Sequence, residues 1–309
     1  MESDFIAWLR QRLRPSPHLR LGPGDDAAIL RLGQRADCVI TSDLLTDTVD
    51  FELGRVAPRR IGHKALAVNL SDLAAMASVP LAVVVSLVLP RSGGGPLARE
   101  LYEGMIPLAE KYQVDIAGGD TNSWDGPLAI CITAIGKTTQ RPPLKRSGAR
   151  PGDVVIVTGS FGGSILGKHL DFTPRVEEAL LLNDRYELHA GIDVSDGLSL
   201  DLSRICTESE CGATVNLETI PLAPAAEELS QAHDTEATAL DHALSDGEDF
   251  ELILAVPPQQ AQQMLKDQPL SVPLTAIGVF QKETGLWQKD SAGKSQPLIP
   301  QGYEHRLDE

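Results

Sequence analysis

Residues 81–89 (LAVVVSLVL) form an apolar, β-branched run that is far short of the roughly 20 residues a membrane-spanning helix needs, so it reads as a strand that needs a core to lie in. A helical stretch precedes it over residues 59–76, where Ile61, Ala65, Leu66, Leu73 and Met76 can share one face. A second helix, residues 96–112, follows the breaker run Gly93-Gly94-Gly95, and strands are expected at 37–42 and 127–136. The first residues, 3–14, space Phe5, Leu9 and Leu13 as a short amphipathic helix ended by Pro15 and Pro17. Strand and helix alternate throughout, which places the chain in the α/β (α+β) class.

The alternation stops at residues 138–152 (TTQRPPLKRSGARPG), polar and Pro-rich, and then resumes. Strands are expected at 153–158, 213–217, 250–256 and 274–280, with helices near 195–210 and 258–266. A chain of 309 residues has room for about two domains. The interruption is therefore read as their boundary, giving 1–147 and 148–309, each expected to bury its own core.

Charge narrows the function classes. With 27 Lys and Arg against 43 Asp and Glu, the net charge is -16, and no basic cluster offsets it. Such a chain repels phosphate backbones, so nucleic-acid binding is excluded as an expectation, and a phosphate ligand requires cations. No membrane span or secretory leader is read in the sequence, and the four scattered cysteines form no CxxC pair, so a cytoplasmic location is expected.

The chemistry is carried by Asp residues beside Gly or Ser at expected element ends: Gly24-Asp25-Asp26, Thr41-Ser42-Asp43, Ser71-Asp72, Gly118-Gly119-Asp120-Thr121 and Asp193-Val194-Ser195-Asp196-Gly197. Each alone reads first as a turn former. Asp72 does not, because it interrupts the apolar run KALAVNLSDLAAM with Asn69 three residues before it on the same face. Converging carboxylates select a hard cation such as Mg²⁺, which bridges to substrate phosphates. The GGDT segment, expected as a turn after a strand at 114–117, offers backbone N–H groups to a phosphate. Arg146 lies in the interdomain stretch and reads either as a phosphate clamp or as part of a solvated linker. There is no GxxxxGK(S/T) loop, no acidic residue suitably placed after 159–167 (GSFGGSILG) for a dinucleotide fold, no HExxH and no GxSxG elbow.

Taken together and in order, GDDAA, TSD, KALAVNLSDLAAM, GGDT, KRSGA with PGD, DVSDGL, GEDFEL and GYEH resemble the thiamine-monophosphate kinase family of the aminoimidazole ribonucleotide synthetase-like ATP-binding superfamily. The resemblance spans nearly the whole chain. It implies two α/β domains, the first with a sheet that pairs with a second subunit in a homodimer. It implies Mg²⁺ ligands at Asp26, Thr41, Ser42, Asp43, Asp72, Asp120, Asp193 and Asp196, and ATP contacts at Gly119, Asp120, Arg146, Ser195 and Tyr102. Asp50, Glu248 and Tyr303 match positions that hold the thiamine phosphate. ATP would be the phosphoryl donor, and no side chain would act as general base. The chain departs from the family at Ala77, where Gly is commoner, at Phe250, where Tyr is commoner, and at Asn122 after GGDT; each lies beside an implied ligand and replaces none.

Overall fold

The computed structural model describes residues 2–13, 16–32, 37–232, 236–289 and 294–305. The first half runs α1 (Glu2–Arg12), β1 (Leu19–Leu21), β2 (Ala28–Arg31), β3 (Asp37–Thr46), α2 (Pro58–Ala75), β4 (Val79–Pro90), α3 (Gly94–Tyr112), β5 (Asp115–Trp124) and β6 (Ala129–Lys137). Its strands form one sheet in the order β1-β2-β3-β6-β4-β5. The second half runs β7 (Val154–Thr158), α4 (Lys168–Asp171), α5 (Val176–Arg185), β8 (Ala190–Asp193), α6 (Leu198–Glu208), β9 (Gly212–Asn216), α7 (Pro224–Ser230), α8 (Ala239–Ser245), β10 (Leu252–Val256), α9 (Pro258–Asp267), β11 (Leu274–Gln281), β12 (Gly285–Lys289) and β13 (Ser295–Pro297). A second sheet results, in the order β13-β12-β9-β11-β7-β10-β8.

Both sheets are mixed. Among the described residues, the parallel pairs within the sheets are β4 with β5, joined through α3, and β9 with β12. The remaining neighbours are antiparallel, so the alternation of strands and helices does not produce parallel crossovers in most of the chain.

The apolar run of β4 is covered on one face alone. Val83, Val85 and Leu87 are buried under the helices, while Leu81 and Val84 are 39% and 38% exposed on the other face. Leu44 of β3 joins them at 63%. The run was read as a strand that needs a core, and the core covers only one of its faces; within one chain the outer face of this sheet stays open.

Helix α2 organises the molecule. Pro58 presets its first turn. At its other end Ala77 takes a left-handed φ of 47°, and the Ser78 hydroxyl donates to the Leu73 carbonyl at 2.9 Å. The helix packs on α3, β3 and β6 on one side and on α4, α5 and β8 on the other. Against α3 the approach is close enough to need two glycines: a Cβ on Gly62 would stand 2.0 Å from the Leu101 carbonyl oxygen, and one on Gly104 1.8 Å from that of Arg59.

Because α2 is apolar on two sides, one continuous core runs from the first sheet through α2 to Ile156, Leu252 and Leu254 on the second sheet. A separate cluster, with Leu198, Leu202 and Ile205 of α6, fills the far face of the second sheet. The halves thus share α2 as a common core element, where two self-contained cores were expected.

Candidate active site

Where α2 is flanked by the two sheets, four segments bring carboxylates together. Asp26 follows a Gly-rich loop, Asp43 lies on the inner face of β3, Asp72 on α2, and Asp193 is the last residue of β8. Carboxylate oxygens of Asp26, Asp72 and Asp193 all lie within 4.8 Å of one another. Asp26 and Asp193 are buried, and Asp72 is partly exposed.

Polar neighbours hold the cluster without neutralising it. The Thr41 hydroxyl donates to Asp72 and the Ser71 hydroxyl to Asp193. Arg146 bonds to Asp26 Oδ1 through Nε at 3.1 Å and Nη2 at 2.6 Å, and its backbone N–H donates to Asp25. Its guanidinium is buried, which alone would lower its pKa, but Asp26 and Asp25 hold it above the ordinary value. The reading of Arg146 as part of a solvated linker is thereby overturned.

One guanidinium against this many carboxylates leaves a surplus of negative charge. Burial, followed by Asp43, Asp193 and Asp26, pushes Asp72 well above the usual carboxylate range, and burial with Asp26 does the same to Asp193. Asp43 is pushed up to about 6 by burial and by Asp50 and Asp196; Asp25 is pushed up to about 7 by burial and by Asp26. Buried oxygens Asp26 Oδ2 and Asp43 Oδ2 have no hydrogen-bond partner. Converging carboxylates with unpartnered oxygens beside them are what a hard divalent cation requires, so this donor set fits Mg²⁺.

Other expected residues border this cluster. Asp196 follows it on the 194–197 loop, paired with Arg204 at 2.6 Å, and Asp201 fixes that loop by accepting from the Asp196 and Gly197 backbone N–H groups. The Ser195 carbonyl accepts from Glu248 N–H at 2.7 Å, and Tyr303 N–H donates to the Asp196 carbonyl at 2.9 Å. Tyr303 is half exposed, its ring edge-on to His305. Asp50 accepts from Thr46 N–H at 2.6 Å, and Lys64 joins the Asp50 carbonyl to Glu248.

Four expected residues are not brought into this cluster within the single chain. Gly119 and Asp120 lie in β5, so GGDT is strand and not the turn that its glycines suggested. Asp120 pairs in register with Ser86, whose side chain faces outward, and β5 is three strands from β3, about 14 Å at ordinary strand spacing. Ser42 also faces outward, bonded to the Thr133 hydroxyl at 2.9 Å. Tyr102 lies on α3, half-buried against the main core.

The residues that sequence reasoning left without a role are Asp25, Lys64, Ser71, Asp201 and Arg204. Asp25 and Ser71 sat in motifs already singled out. Lys64 opens the singled-out run KALAVNLSDLAAM, while Asp201 and Arg204 carry no local signal, since a charged residue in a helix reads as solvated.

Two family descriptions match the chain: AIR synthase related protein, N-terminal domain, over residues 24–138, and AIR synthase related protein, C-terminal domain, over residues 150–286. The thiamine-monophosphate kinase of Rhodopirellula baltica is 44% identical over 99% of this chain and 97% of its own length. That of Bacillus subtilis is 32% identical over 98% and 99%. Among solved structures, one described as AaThiL complexed with AMPPCP and TMP superposes with a TM-score of 0.83 at 25% identity, covering 99% of this chain and 96% of that one. The Stenotrophomonas maltophilia thiamine-monophosphate kinase gives 0.73 at 32% identity, covering 92% and 94%. The hydrogenase maturation protein HypE of E. coli, at 18% identity and 0.71, shares the fold.

Proposed function

The chain belongs to the AIR synthase related family and, within it, to the thiamine-monophosphate kinases. From that premise we propose that it transfers the γ-phosphoryl group of ATP to thiamine monophosphate, giving thiamine diphosphate and ADP by direct in-line transfer. The observation that carries the reading is the buried carboxylate cluster of Asp26, Asp72 and Asp193 with unpartnered oxygens beside it.

Asp26, Thr41, Asp43, Asp72, Asp193 and Asp196, with Ser42 and Asp120, are the residues that would hold Mg²⁺. Bound there, Mg²⁺ supplies neutralising charge for two polyanions that otherwise repel. The protein's own groups do the rest. Arg146 already bonds to Asp26 through Nε and Nη2, so a nucleotide phosphate meets it at Nη1. Ser195 lies on the same loop as Asp196. The acceptor is a phosphate monoester, largely ionised at pH 7 with a second pKa near ~6, so no side chain has to take a proton from it. Asp50, Glu248 and Tyr303 hold its organic part, two carboxylates and an aromatic ring suited to a cationic thiazolium. The two family segments stop at 138 and restart at 150, which supports dividing the chain as 1–147 and 148–309. The cysteines are unpaired, Cys38 and Cys131 partly exposed, which suits a reducing cytoplasm.

The positions of Gly119, Asp120 and Ser42 support a homodimer. Strand β2 pairs with β3 only over residues 37–40, so the edge of β3 over 41–46 is unpaired among the described residues, as is the outer edge of β5. Pairing β5 of one copy with that edge closes the open faces of two sheets over Leu44 and Val84, and sets Asp120 beside Ser42 across the interface. Coexpressing an Asp120→Asn chain with an Asp72→Asn chain tests this: mixed dimers recover activity that neither parent has. No recovery in an isolated mixed dimer would place Asp120 in the same chain's site.

The activity is tested by incubating the protein with ATP, Mg²⁺ and thiamine monophosphate and quantifying thiamine diphosphate and ADP. Equal formation of both, abolished by EDTA, is expected; ADP without thiamine diphosphate would overturn the acceptor.

A further inference from the structure

Lys64 is 1% exposed, on the first half of α2. A buried ammonium is costly unless its partners are fixed, and its partners come from opposite halves of the chain. It donates to the Asp50 carbonyl at 2.7 Å and to Glu248 Oε1.

Both partners are held from behind as well. The Asp50 carboxylate closes its own turn onto the Thr46 N–H. Glu248 sits at φ 53° between Gly247 at 74° and a segment in which Phe250 is at 50°, so its backbone is in the left-handed region that non-glycine residues avoid. Hydrogen bonds lock it there: Glu248 N–H to the Ser195 carbonyl at 2.7 Å, Phe250 N–H to the Val194 carbonyl at 2.8 Å, and the Ser164 hydroxyl to the Gly247 carbonyl at 2.8 Å. A Cβ on Gly247 would stand 2.7 Å from the Ser195 carbonyl oxygen. Phe250 stacks on Phe172 with ring centroids 3.9 Å apart, which gives the aromatic at this position a packing role that needs no hydroxyl.

The strained backbone therefore fixes where the Glu248 side chain starts, and Lys64 fixes where it ends. We propose that Lys64 is a positioning residue for the acceptor: it clamps Asp50 and Glu248 into one unit and commits Oε1, so that Oε2 is presented to an N–H donor of the acceptor's aminopyrimidine. This rests on the reading that Asp50 and Glu248 contact thiamine monophosphate. It adds that Glu248, already paired with an ammonium, recognises the acceptor by hydrogen-bond geometry more than by net charge.

A double-mutant cycle tests it. Lys64→Met, Glu248→Gln and the double variant are assayed for the KM of both substrates, with thermal melting to check folding. Lys64→Met is expected to raise the KM for thiamine monophosphate about tenfold or more while the KM for ATP stays within about twofold, a split that loss of folded protein does not produce. The double variant is expected to fall well short of the product of the two single effects, because Lys64 acts in large part through Glu248. An unchanged acceptor KM in Lys64→Met, or effects that multiply in the double variant, would overturn the proposal. An unchanged acceptor KM in Glu248→Gln overturns the acceptor-site reading itself, and the proposal with it. If Lys64→Met does not fold, Lys64→Gln, which keeps a donor for the Asp50 carbonyl and loses the charge, carries the same expectations.

Discussion

Two groups of buried carboxylates lie in this molecule, and they are treated oppositely. Glu251, 2% exposed, accepts from Arg175 at 2.7 Å through both Nε and Nη2, from Lys168 at 3.0 Å and from the Thr158 hydroxyl at 2.8 Å. Burial alone would raise its pKa, but Arg175 and Lys168 hold it below the ordinary value. Its neighbour Asp249, pushed up to about 7 by burial, still has Lys168 nearby and the Gly162 N–H as donor. The Asp26, Asp72 and Asp193 cluster is comparably enclosed but has Arg146 as its basic partner, several raised carboxyl groups and unpartnered oxygens. Depth of burial is therefore not what marks a site. The mark is a charge deficit that the chain leaves for a ligand to fill.

The largest expected effect that sharpens the contrast is on turnover. Asp72→Asn keeps the size and the Thr41 contact but removes the central charge, so transfer is expected to fall at least about a thousandfold, the scale of losing one preorganised electrostatic element in a phosphoryl-transfer site. Melting without metal should stay the same where Asp72 keeps its proton and rise at higher pH, where a repulsion is relieved. Wild-type turnover in this variant would dissolve the distinction between the two groups.

Glu251→Gln is the converse. It leaves Arg175 and Lys168 facing a neutral amide, and breaking a buried pair of this kind costs about 3–5 kcal/mol. Urea unfolding should show that loss, while the KM for ATP in the remaining folded protein is unchanged. A cost within error of zero would mean the network is no more structural than the Asp cluster.

How much of this could be read in advance follows from how local each signal is. Asp72 was legible because it breaks an apolar helical run, and the DD and DVSDG motifs held Asp26 and Asp193, which the fold brings beside it, whereas Asp120 of GGDT lies apart on β5. GGDT itself was misread because paired glycines signal a turn, yet β4 supplies a parallel partner along the whole of β5. The largely antiparallel order of the second sheet was not legible, since strand order depends on contacts between distant segments. Glu251 meets Arg175 and Lys168 across 76 and 83 residues, and Lys64 meets Glu248 across 184. No spacing rule reaches so far, and residues 168–188 gave no motif from which α4 and α5 could be anticipated.

The smallest effect is the response of stability to pH, and it has opposite signs in the Asp cluster and at Glu251. In the metal-free protein Asp43 and Asp25, at about 6 and 7, and Asp72 and Asp193, also raised, keep protons that the unfolded chain has already released above about pH 4. The native state then binds more protons than the unfolded one, so this group's contribution falls as pH rises from about 4 through 7. Glu251 is depressed, so its contribution is present above the unfolded value and is lost as pH falls through the folded one. Melting in EDTA should therefore drop by several degrees between pH 5 and 8, at about 2–4 °C per kcal/mol for a domain of 150–250 residues. Saturating Mg²⁺ should remove most of that slope, because a cation takes the place of the protons. Glu251→Gln should leave the slope and its Mg²⁺ response intact, and Asp72→Asn should weaken both. A slope that ignores Mg²⁺ would assign it to Asp249 and Asp201, each pushed up to about 7 by burial, and not to the carboxylates of the cluster.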